Sequence, residues 1–315
     1  MILTPQLLKL KFLFYAGFLL VSCQYKATQA LQNTQIEEIK FLGRKHFALK
    51  AYEQSVATYL PYLGALDNED KRNTINALFL LGKEAQALVV FEQQILDKME
   101  YINDTLMNGF DEKEKIEKRY KKEIARHNEK TIKGFKMPTL AQELIQLEEA
   151  DQGIRLKFMQ ALEKSNGVFD KEFMACNALM GKIDSANLAF VRIHFLMDDK
   201  ALPSQKEIGK IGLQTIFYVV QHSLKNEDRI ILLKKLQQQP MSEHVLTNTF
   251  FLEDRINVGT GKKQRYGTQY QRMTSGNVNT DLEPIESIEF ADKWRTKVGM
   301  LTIAHQKELI RLGYY

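Results

Sequence analysis

Cysteine, proline and tryptophan are scarce in this chain of 315 residues, which holds 2 cysteines, 6 prolines and 1 tryptophan. If Cys23 carries lipid, as argued below, Cys176 has no partner and no intramolecular disulfide bond can form. The few prolines and 17 glycines give no indication of a long disordered region. The content of 44% hydrophobic and 26% charged residues is typical of a globular protein with a substantial core.

Sequence motifs of the common catalytic and cofactor sites are also missing. The glycines of Gly259-Thr260-Gly261-Lys262 do not match the frame of a phosphate-binding loop. The chain has no H-E-x-x-H motif and no cysteine-rich pair, so a zinc site could only be assembled from scattered residues. No G-x-S-x-G sequence is present to form a nucleophile elbow. We therefore expect no metal and no cofactor, and the sequence names no reaction.

The charge of the chain is mild and mixed in sign. The formal net charge is +5 at pH 7. No basic stripe with interleaved aromatic residues appears, so we expect no nucleic-acid partner. Residues 111–130 are dense in charges of both signs, which predicts a solvated connecting helix. The stretch from Gly134 to Pro138 is the predicted boundary before a second domain.

The N-terminus has the pattern of a secretory signal. Lys9 and Lys11 precede an apolar stretch from Phe12 to Val21, which is too short to span a bilayer comfortably. The stretch ends in Leu20-Val21-Ser22-Cys23, which resembles a bacterial lipobox, where signal peptidase cuts before a cysteine that carries diacylglycerol. We therefore predict a signal peptide over residues 1–22. The alternative is a signal anchor, or a secreted protein with an incidental cysteine.

Lipidation at Cys23 would make the membrane a partner of the mature chain. Gln24 follows the cysteine in place of an acidic residue, which favours the outer membrane of a Gram-negative bacterium. The polar residues 23–34 predict a tether between the lipid and the folded part. The expected location is the cell envelope, with the membrane leaflet left open.

A short internal repeat follows the tether. Residues 43–54 align with residues 82–93, and both share glycine, a basic residue, Ala-Leu, an aromatic residue and Glu-Gln at the same spacing. This spacing resembles tetratricopeptide-type helical hairpins. Two copies do not make a stable solenoid, so we expect residues 35–137 to dock on the rest of the chain. Their concave surface could take a protein or peptide partner, or they could be a plain helical scaffold.

Four polar motifs occur in the C-terminal half. They are Asp151-Gln152-Gly153-Ile154-Arg155, Gln221-His222, Leu252-Glu253-Asp254-Arg255, and GKKQRYGTQ from Gly261 to Gln269. With these motifs in this order, residues 140–312 resemble the bacterial family catalogued as domain of unknown function 6624. The resemblance implies which residues belong together, and it supplies no mechanism.

Helical spacing of apolar residues dominates the C-terminal half. The run from Leu213 to His222 predicts a central buried helix with His222 in its last turn. Helices over residues 171–180 and 185–197 are predicted on either side of Gly181-Lys182-Ile183-Asp184, with Asp184 or Ser185 as N-cap. The glycine turn and the alternating residues after it predict a short β-hairpin near residues 265–283.

The predicted fold class is therefore mainly α. Tetratricopeptide-like helical hairpins over residues 35–137 pack on a helical domain over residues 138–315, which carries the one short β-hairpin.

The polar motifs provide a candidate catalytic site. His222 is the best-placed general base, and Asp254 near the end of a neighbouring predicted helix would orient it. Arg255 would bind an anion. The other residues that we expect to bind a ligand are Asp151, Gln152, Arg155, Gln264, Tyr266, Thr268 and Gln269.

Structural alternatives stay open for the same residues. Asp151 and Arg155, one helical turn apart, could form an exposed salt bridge and not face the site. Asp254 and Arg255 could tie the helix end to the hairpin, whose polar side chains would then satisfy buried backbone groups. His222 could serve only to cap its helix.

A lipid-anchored binding or scaffold module of the cell envelope is the function we expect first, because an anchor, helical hairpins and a polar groove require no chemistry. An envelope hydrolase or transferase acting on peptide or glycan through His222 and Asp254 is second, and a purely structural envelope component is third. Hydrogen-bond contact between His222 and Asp254 beside open space would favour the enzyme.

Overall fold

The computed structural model describes residues 33–164, 170–239, 243–271 and 281–314. The predicted signal peptide with Cys23, most of the tether and residues 272–280 of the predicted hairpin lie outside these described residues. Within the described part the regular elements are helices, which confirms the mainly α prediction. No described helix is both long and apolar enough to cross a bilayer.

The N-terminal part is a succession of short helices around one core. The elements are α1 (Asn33–Ala48), α2 (Tyr52–Tyr59) with a 3₁₀ turn (Leu60–Ala65), α3 (Asn68–Leu80), α4 (Glu84–Phe91) with a π turn (Glu92–Leu96), α5 (Asp104–Met107) and α6 (Lys113–Gly134). Tyr59, Ile75, Phe91 and Ile95 are fully buried in this core. Helix α6 is the predicted charged connector, and it buries only Ile116 and Tyr120.

The two copies of the internal repeat fall on different structural features. Gly43 lies inside α1, where a Cβ atom would collide with the ring of Tyr59. Gly82 instead follows the end of α3 with a φ of +70°, as expected of a glycine that terminates a helix. Since the shared sequence spacing does not produce equivalent hairpins, the tetratricopeptide-like prediction is not confirmed.

The C-terminal part is built from longer helices. They are α7 (Pro138–Lys164), α8 (Lys171–Val191) with a π turn (Arg192–Leu196), α9 (Gln205–Gln221), α10 (Asn226–Gln237), α11 (Glu243–Gly259), α12 (Ile288–Lys297) and α13 (Ile303–Arg311). The predicted break near Gly181 is wrong, because α8 runs through it and the Ser185 hydroxyl donates to the Gly181 carbonyl over 2.8 Å. Glycine inside a helix costs about 1 kcal/mol, which the packing of α8 on α7 outweighs.

Helix α9 is the buried central helix that the sequence predicts. Ile208, Ile216 and Val220 are among its core residues, packed with side chains of α7, α8 and α10. A capping box between Ser204 and Glu207 starts the helix. Burial of Val219 and Val220 fixes the C-terminal end of α9 among its neighbours.

The predicted β-hairpin is not confirmed. In the described part, residues 264–285 form two isolated β-bridges, Gln264 with Ile285 and Tyr270 with Leu282. The Gln264 side chain donates to the carbonyl oxygens of Gln269 at 2.9 Å and Glu283 at 2.7 Å. A side-chain amide thus takes the place of bonds that a regular strand ladder would make.

The N-terminal helices pack against the end of the chain. The ring of Phe41 in α1 stacks on His305 of α13 with 3.9 Å between ring centroids. Lys40 donates to the Gly299 carbonyl at 2.8 Å, and the Thr302 amide donates to Glu37 at 3.0 Å. These contacts join the two ends of the described chain into one packed body.

Candidate functional site

Three helices bring four ionisable side chains together. Helix α7 supplies Asp151 and Arg155, helix α8 supplies Asp184, and His222 is the C-cap of α9. We call these four residues the histidine cluster. Asp151 and Arg155 lie one turn apart on α7, and residues at this spacing share a face of a helix. The packing of α7 on both α8 and α9 positions that face toward Asp184 and His222.

A guanidinium nitrogen lies at the centre of the histidine cluster. Nη2 of Arg155 donates to Oδ1 of Asp184 at 2.7 Å and to Oδ1 of Asp151 at 3.1 Å. The same nitrogen is 2.5 Å from Nδ1 of His222. Asp151 also receives a hydrogen bond at Oδ2 from Nε2 of Gln152, over 2.7 Å. Two carboxylate oxygens and one imidazole nitrogen, from three different helices, thus converge on one cationic atom.

The cluster has a buried end and an open end. The Asp151 side chain is 1% exposed, whereas Arg155 and His222 are each 21% exposed and Asp184 is 28% exposed. Burial by itself would raise the pKa of Asp151. The hydrogen bond with His222 and the charges of His222 and Arg155 outweigh burial and lower that pKa below its ordinary value. Asp151 is therefore a carboxylate at neutral pH.

The protonation state of His222 decides whether its Nδ1 forms a hydrogen bond with Arg155 or with Asp151. Nδ1 is 3.3 Å from Oδ1 of Asp151 and also faces Arg155. A neutral imidazole with a bare Nδ1 accepts from Arg155, and a protonated one donates to Asp151. The second nitrogen, Nε2, is 3.4 Å from the side-chain nitrogen of Gln221. The pair of His222 and Asp151 has the composition of a general base with its orienting carboxylate.

Asp254 belongs to a separate network. Its Oδ1 accepts from the backbone amides of Arg265 at 2.7 Å and Tyr266 at 3.1 Å. Its Oδ2 accepts from the amide and the hydroxyl of Thr268, both at 3.0 Å. The side chain is fully buried. The structure therefore corrects the predicted pairing of His222 with Asp254, because the carboxylate next to His222 is Asp151.

The remaining predicted site residues hold the loop after α11 in place. Arg255 donates from Nε to Oε1 of Gln269 at 3.0 Å and from Nη1 to the Gln221 carbonyl at 2.8 Å. Burial and the nearby Arg229 charge lower the pKa of Arg255. The backbone amide of Gln269 donates to Oε1 of Gln264 at 2.9 Å. This arrangement matches the structural alternative, in which these side chains form hydrogen bonds with buried backbone groups of the loop.

Tyr266 is mainly a packing residue. Its ring stacks on Phe250 with 3.9 Å between centroids, and its hydroxyl lies 3.4 Å from Glu253. Burial, followed by the negative charge of Glu253, raises the pKa of Tyr266 to about 12. The phenol therefore stays protonated at neutral pH and acts as a hydrogen-bond donor.

Sequence reasoning missed Asp184 as a site residue. The prediction treated it as a helix N-cap, whereas it lies inside α8. The helical spacing could have identified Asp184. It lies on the same face of α8 as the buried residues Phe173, Asn187 and Val191. A polar residue on an inward-facing stripe needs a partner, and the partner is Arg155.

Two groups of side chains in the described part could hold a metal ion. Ligand atoms of Asp151, Asp184 and His222 lie within 4.8 Å of one another, and so do those of Glu37, Glu38 and His305. The second group lies where α1 packs on α13. Both assemble residues that are far apart in the sequence, as any zinc site in this chain would have to do.

Comparison with known proteins gives one match. A family described as "Family of unknown function (DUF6624)" matches residues 138–314. The match begins with the first residue of α7 and covers both the histidine cluster and the Asp254 network. Neither a curated protein nor a solved structure matches the chain.

Proposed function

The chain belongs to this family of unknown function, and we propose that it is a lipid-anchored binding module of the cell envelope. The charged ligand of this module occupies the histidine cluster. The anchor is the lipid on Cys23, which follows from the lipobox-like sequence and from the apolar stretch that precedes it.

The convergence of four ionisable groups around one point is the observation that carries the proposal. Collecting buried or half-buried charges seldom stabilises a fold more than apolar side chains of similar size. The cluster also leaves Nε of Arg155 buried without a hydrogen-bond partner. Such a cluster, with an open side, is more typical of a binding site than of a structural ion pair.

The hydrogen bonds of Asp254 differ from those of the histidine cluster, because they are closed to a ligand. Every hydrogen bond that Asp254 accepts comes from the loop that it holds, and its side chain is fully buried. A ligand cannot reach this carboxylate without unfolding the loop. The binding role therefore falls to the histidine cluster and the structural role to Asp254.

Binding of charged envelope fragments tests the proposal. The full-length chain in detergent is titrated with a panel of peptide and glycan fragments in the presence of a chelator. We expect at least one charged fragment to bind, and Asp184→Asn or His222→Ala to weaken it by about tenfold or more. The matched controls are Asp199→Asn and His194→Ala, which change exposed residues outside the cluster. Fragment binding that survives both cluster substitutions would overturn the proposal, and so would a cluster that binds neither a fragment nor any other charged ligand.

The hydrogen-bond reach between His222 and Asp151 favours a second candidate, an envelope hydrolase or transferase that acts on peptide or glycan. His222 would be the general base and Asp151 would orient it. The same fragments are incubated with the chain and searched for new products by mass spectrometry. Products that disappear in His222→Ala would select the enzyme over the binding module.

The lipid anchor has its own test. Cells that express the chain are fed an alkyne fatty acid, and the chain is examined for label and for recovery in the membrane fraction. We expect Cys23→Ser to abolish both, and Cys176→Ser to leave both unchanged. Equal labelling of the Cys23→Ser chain would contradict the anchor.

A further inference from the structure

We propose that the ligand of the histidine cluster is a divalent transition-metal ion, bound by Asp151, Asp184 and His222 in competition with Arg155. This inference rests on the proposed function, since it names the ligand of the same site. It starts from the position of Nη2 of Arg155, which contacts all three residues.

The spacing of the three acceptors suits a single ion. Their ligand atoms lie within 4.8 Å of one another. Two ligands at about 2.1 Å from a tetrahedral ion lie about 3.4 Å apart. Oδ1 of Asp151 and Nδ1 of His222 are 3.3 Å apart and already have this spacing, so Asp184 needs to move by at most about 1.4 Å. Asp184 and His222 are partly exposed and have room for this movement.

Arg155 is an imperfect occupant of the central position. Its Nη2 has two hydrogens for the three groups that surround it, and its Nε is buried without an acceptor. It also places a donor against Nδ1 of His222 while Nδ1 is near Asp151. A spherical cation carries no hydrogen and would take lone pairs from all three residues at once. The position is thus preformed for a cation that is better matched than a guanidinium.

The surroundings match those of a metal site. The amide of Gln152 donates to the second oxygen of Asp151 at 2.7 Å and so orients that carboxylate, as outer-shell partners of metal ligands do. One imidazole and two carboxylates are a donor set that suits Zn²⁺, Mn²⁺ or Fe²⁺. Three protein ligands leave a coordination position open on the exposed side, and Arg155 can leave in the same direction.

The other group, Glu37, Glu38 and His305, is less suited to an ion. Glu37 already accepts from the Thr302 amide and from His305, and His305 stacks on Phe41. These contacts fix the junction between α1 and α13. The group therefore serves as the control for metal binding at a second histidine–carboxylate site.

Calorimetric titration with ZnCl₂ or MnCl₂ tests the inference. The chain is full-length, in detergent, and freed of metal with a chelator that is then removed. We expect one ion per chain, with affinity reduced by about 100-fold or more in Asp184→Asn and His222→Ala. Arg155→Met should bind about tenfold more tightly, because the competing cation is gone. The double variant Glu37→Gln with His305→Ala should bind as the unchanged chain does.

Two outcomes would overturn the metal site. One is that Arg155→Met, shown to be folded by circular dichroism, binds the ion no more tightly than the unchanged chain. The other is that affinity is lost in the Glu37 and His305 double variant and kept in Asp184→Asn. If no ion binds but charged envelope fragments still bind in chelator and depend on Asp184, the metal inference fails and the proposed function stands. If neither binds, both fail.

Discussion

Asp151 and Asp254 are both almost completely buried, yet they are held in opposite ways. Asp254 accepts hydrogen bonds from three backbone amides and one hydroxyl of a single loop. Asp151 accepts from the side chains of Gln152 and Arg155 and contacts Nδ1 of His222, and the last two are ionisable and partly exposed. Backbone amides cannot move away without unfolding the loop, whereas side chains can exchange partners. This difference separates a structural carboxylate from one that a ligand can use.

We predict that Asp254→Asn lowers the free energy of unfolding by about 3 kcal/mol. The asparagine amide would face backbone N–H groups and leave buried donors without an acceptor. Urea denaturation followed by circular dichroism measures the change, and Asp199→Asn is the exposed control. A loss below about 1 kcal/mol would mean that the loop does not depend on this carboxylate.

The lowered pKa of Asp151 predicts a loss of stability in acid. Its folded pKa lies below the ordinary carboxyl value of about 3.9, so the folded state binds fewer protons there than the unfolded state. The contribution of Asp151 is complete above that ordinary value and is lost as pH falls through the lowered pKa. Relative to Asp151→Asn, the unchanged chain should lose stability below about pH 4. His222→Ala should raise the pKa of Asp151, measured by ¹³C NMR of the carboxyl group.

An unchanged carboxyl titration in His222→Ala would show that the two residues do not interact in solution. A control titration of Asp228 should be unaffected, since its lowered pKa comes from Arg192 and Ser223 once the opposing effect of burial is overcome.

At residue level the sequence grouped Asp151, Arg155 and His222 as candidate site residues, and the structure places these three side chains in contact. Charged residues at the ends or on inner faces of buried helices need partners, which is why the pattern pointed to them. Asp254 was paired with His222 because both lie near helix ends. Which helix ends meet is decided by tertiary packing, and spacing along the chain contains no information on it.

At the scale of the helices, α9 positions the site and depends on a glycine at its start. Gly209 has φ 76° and ψ 167°, a conformation open essentially only to glycine. A Cβ atom there would lie 2.5 Å from the ring of Phe135. The kink lets the first turn of α9 bond to its capping residues while the rest of the helix enters the core.

We predict that Gly209→Ala lowers the free energy of unfolding by about 2 kcal/mol or more, through backbone strain and the collision with Phe135. The matched control is Gly181→Ala in the middle of α8, where no atom lies within 4 Å of the added methyl group. That substitution should raise stability by about 0.5–1 kcal/mol. Thermal denaturation compares the two variants. Equal effects on stability would contradict the claim that the start of α9 requires glycine at position 209.

Apart from the break at Gly181, the helices were easier to predict from the sequence than the path of the loop after α11. Helix α6 ends at Gly134 and α7 begins at Pro138, because proline favours the first turn of a helix, and the domain boundary proposed between them stays a prediction. The predicted strands did not form in the described part. There the side chains of Gln264 and Asp254 bind the backbone and remove the need for a ladder. Such bonds depend on contacts that a periodic pattern does not show.

At the scale of the whole molecule, the two ends of the described chain stabilise each other. Phe41, Leu301 and Leu309 form a buried cluster between α1 and the last helix. The sequence predicted that the N-terminal helices would need a docking surface, since two repeats are too few to stand alone. It gave no indication that this surface would include the C-terminus, because that contact joins residues more than half the chain apart.

We predict that Phe41→Ala lowers the free energy of unfolding by about 3 kcal/mol, because it opens a cavity in this cluster and removes the stacking on His305. Leu42→Ala is the matched control, since Leu42 is the neighbouring residue in α1 and is 36% exposed. Calorimetry measures both. An equal loss of unfolding free energy in the two variants would mean that the packing of Phe41 between α1 and α13 does not stabilise the fold.

The central claim is that the histidine cluster is maintained for binding and not for stability. The most direct measurement is the free energy of unfolding, in chelator, of a chain in which Asp151→Leu, Arg155→Met, Asp184→Leu and His222→Leu are combined. Because apolar replacements avoid the cost of burying charge, we predict stability within about 1 kcal/mol of the unchanged chain, or above it. A loss of about 3 kcal/mol or more would show that the cluster holds the three helices together, and it would contradict the claim.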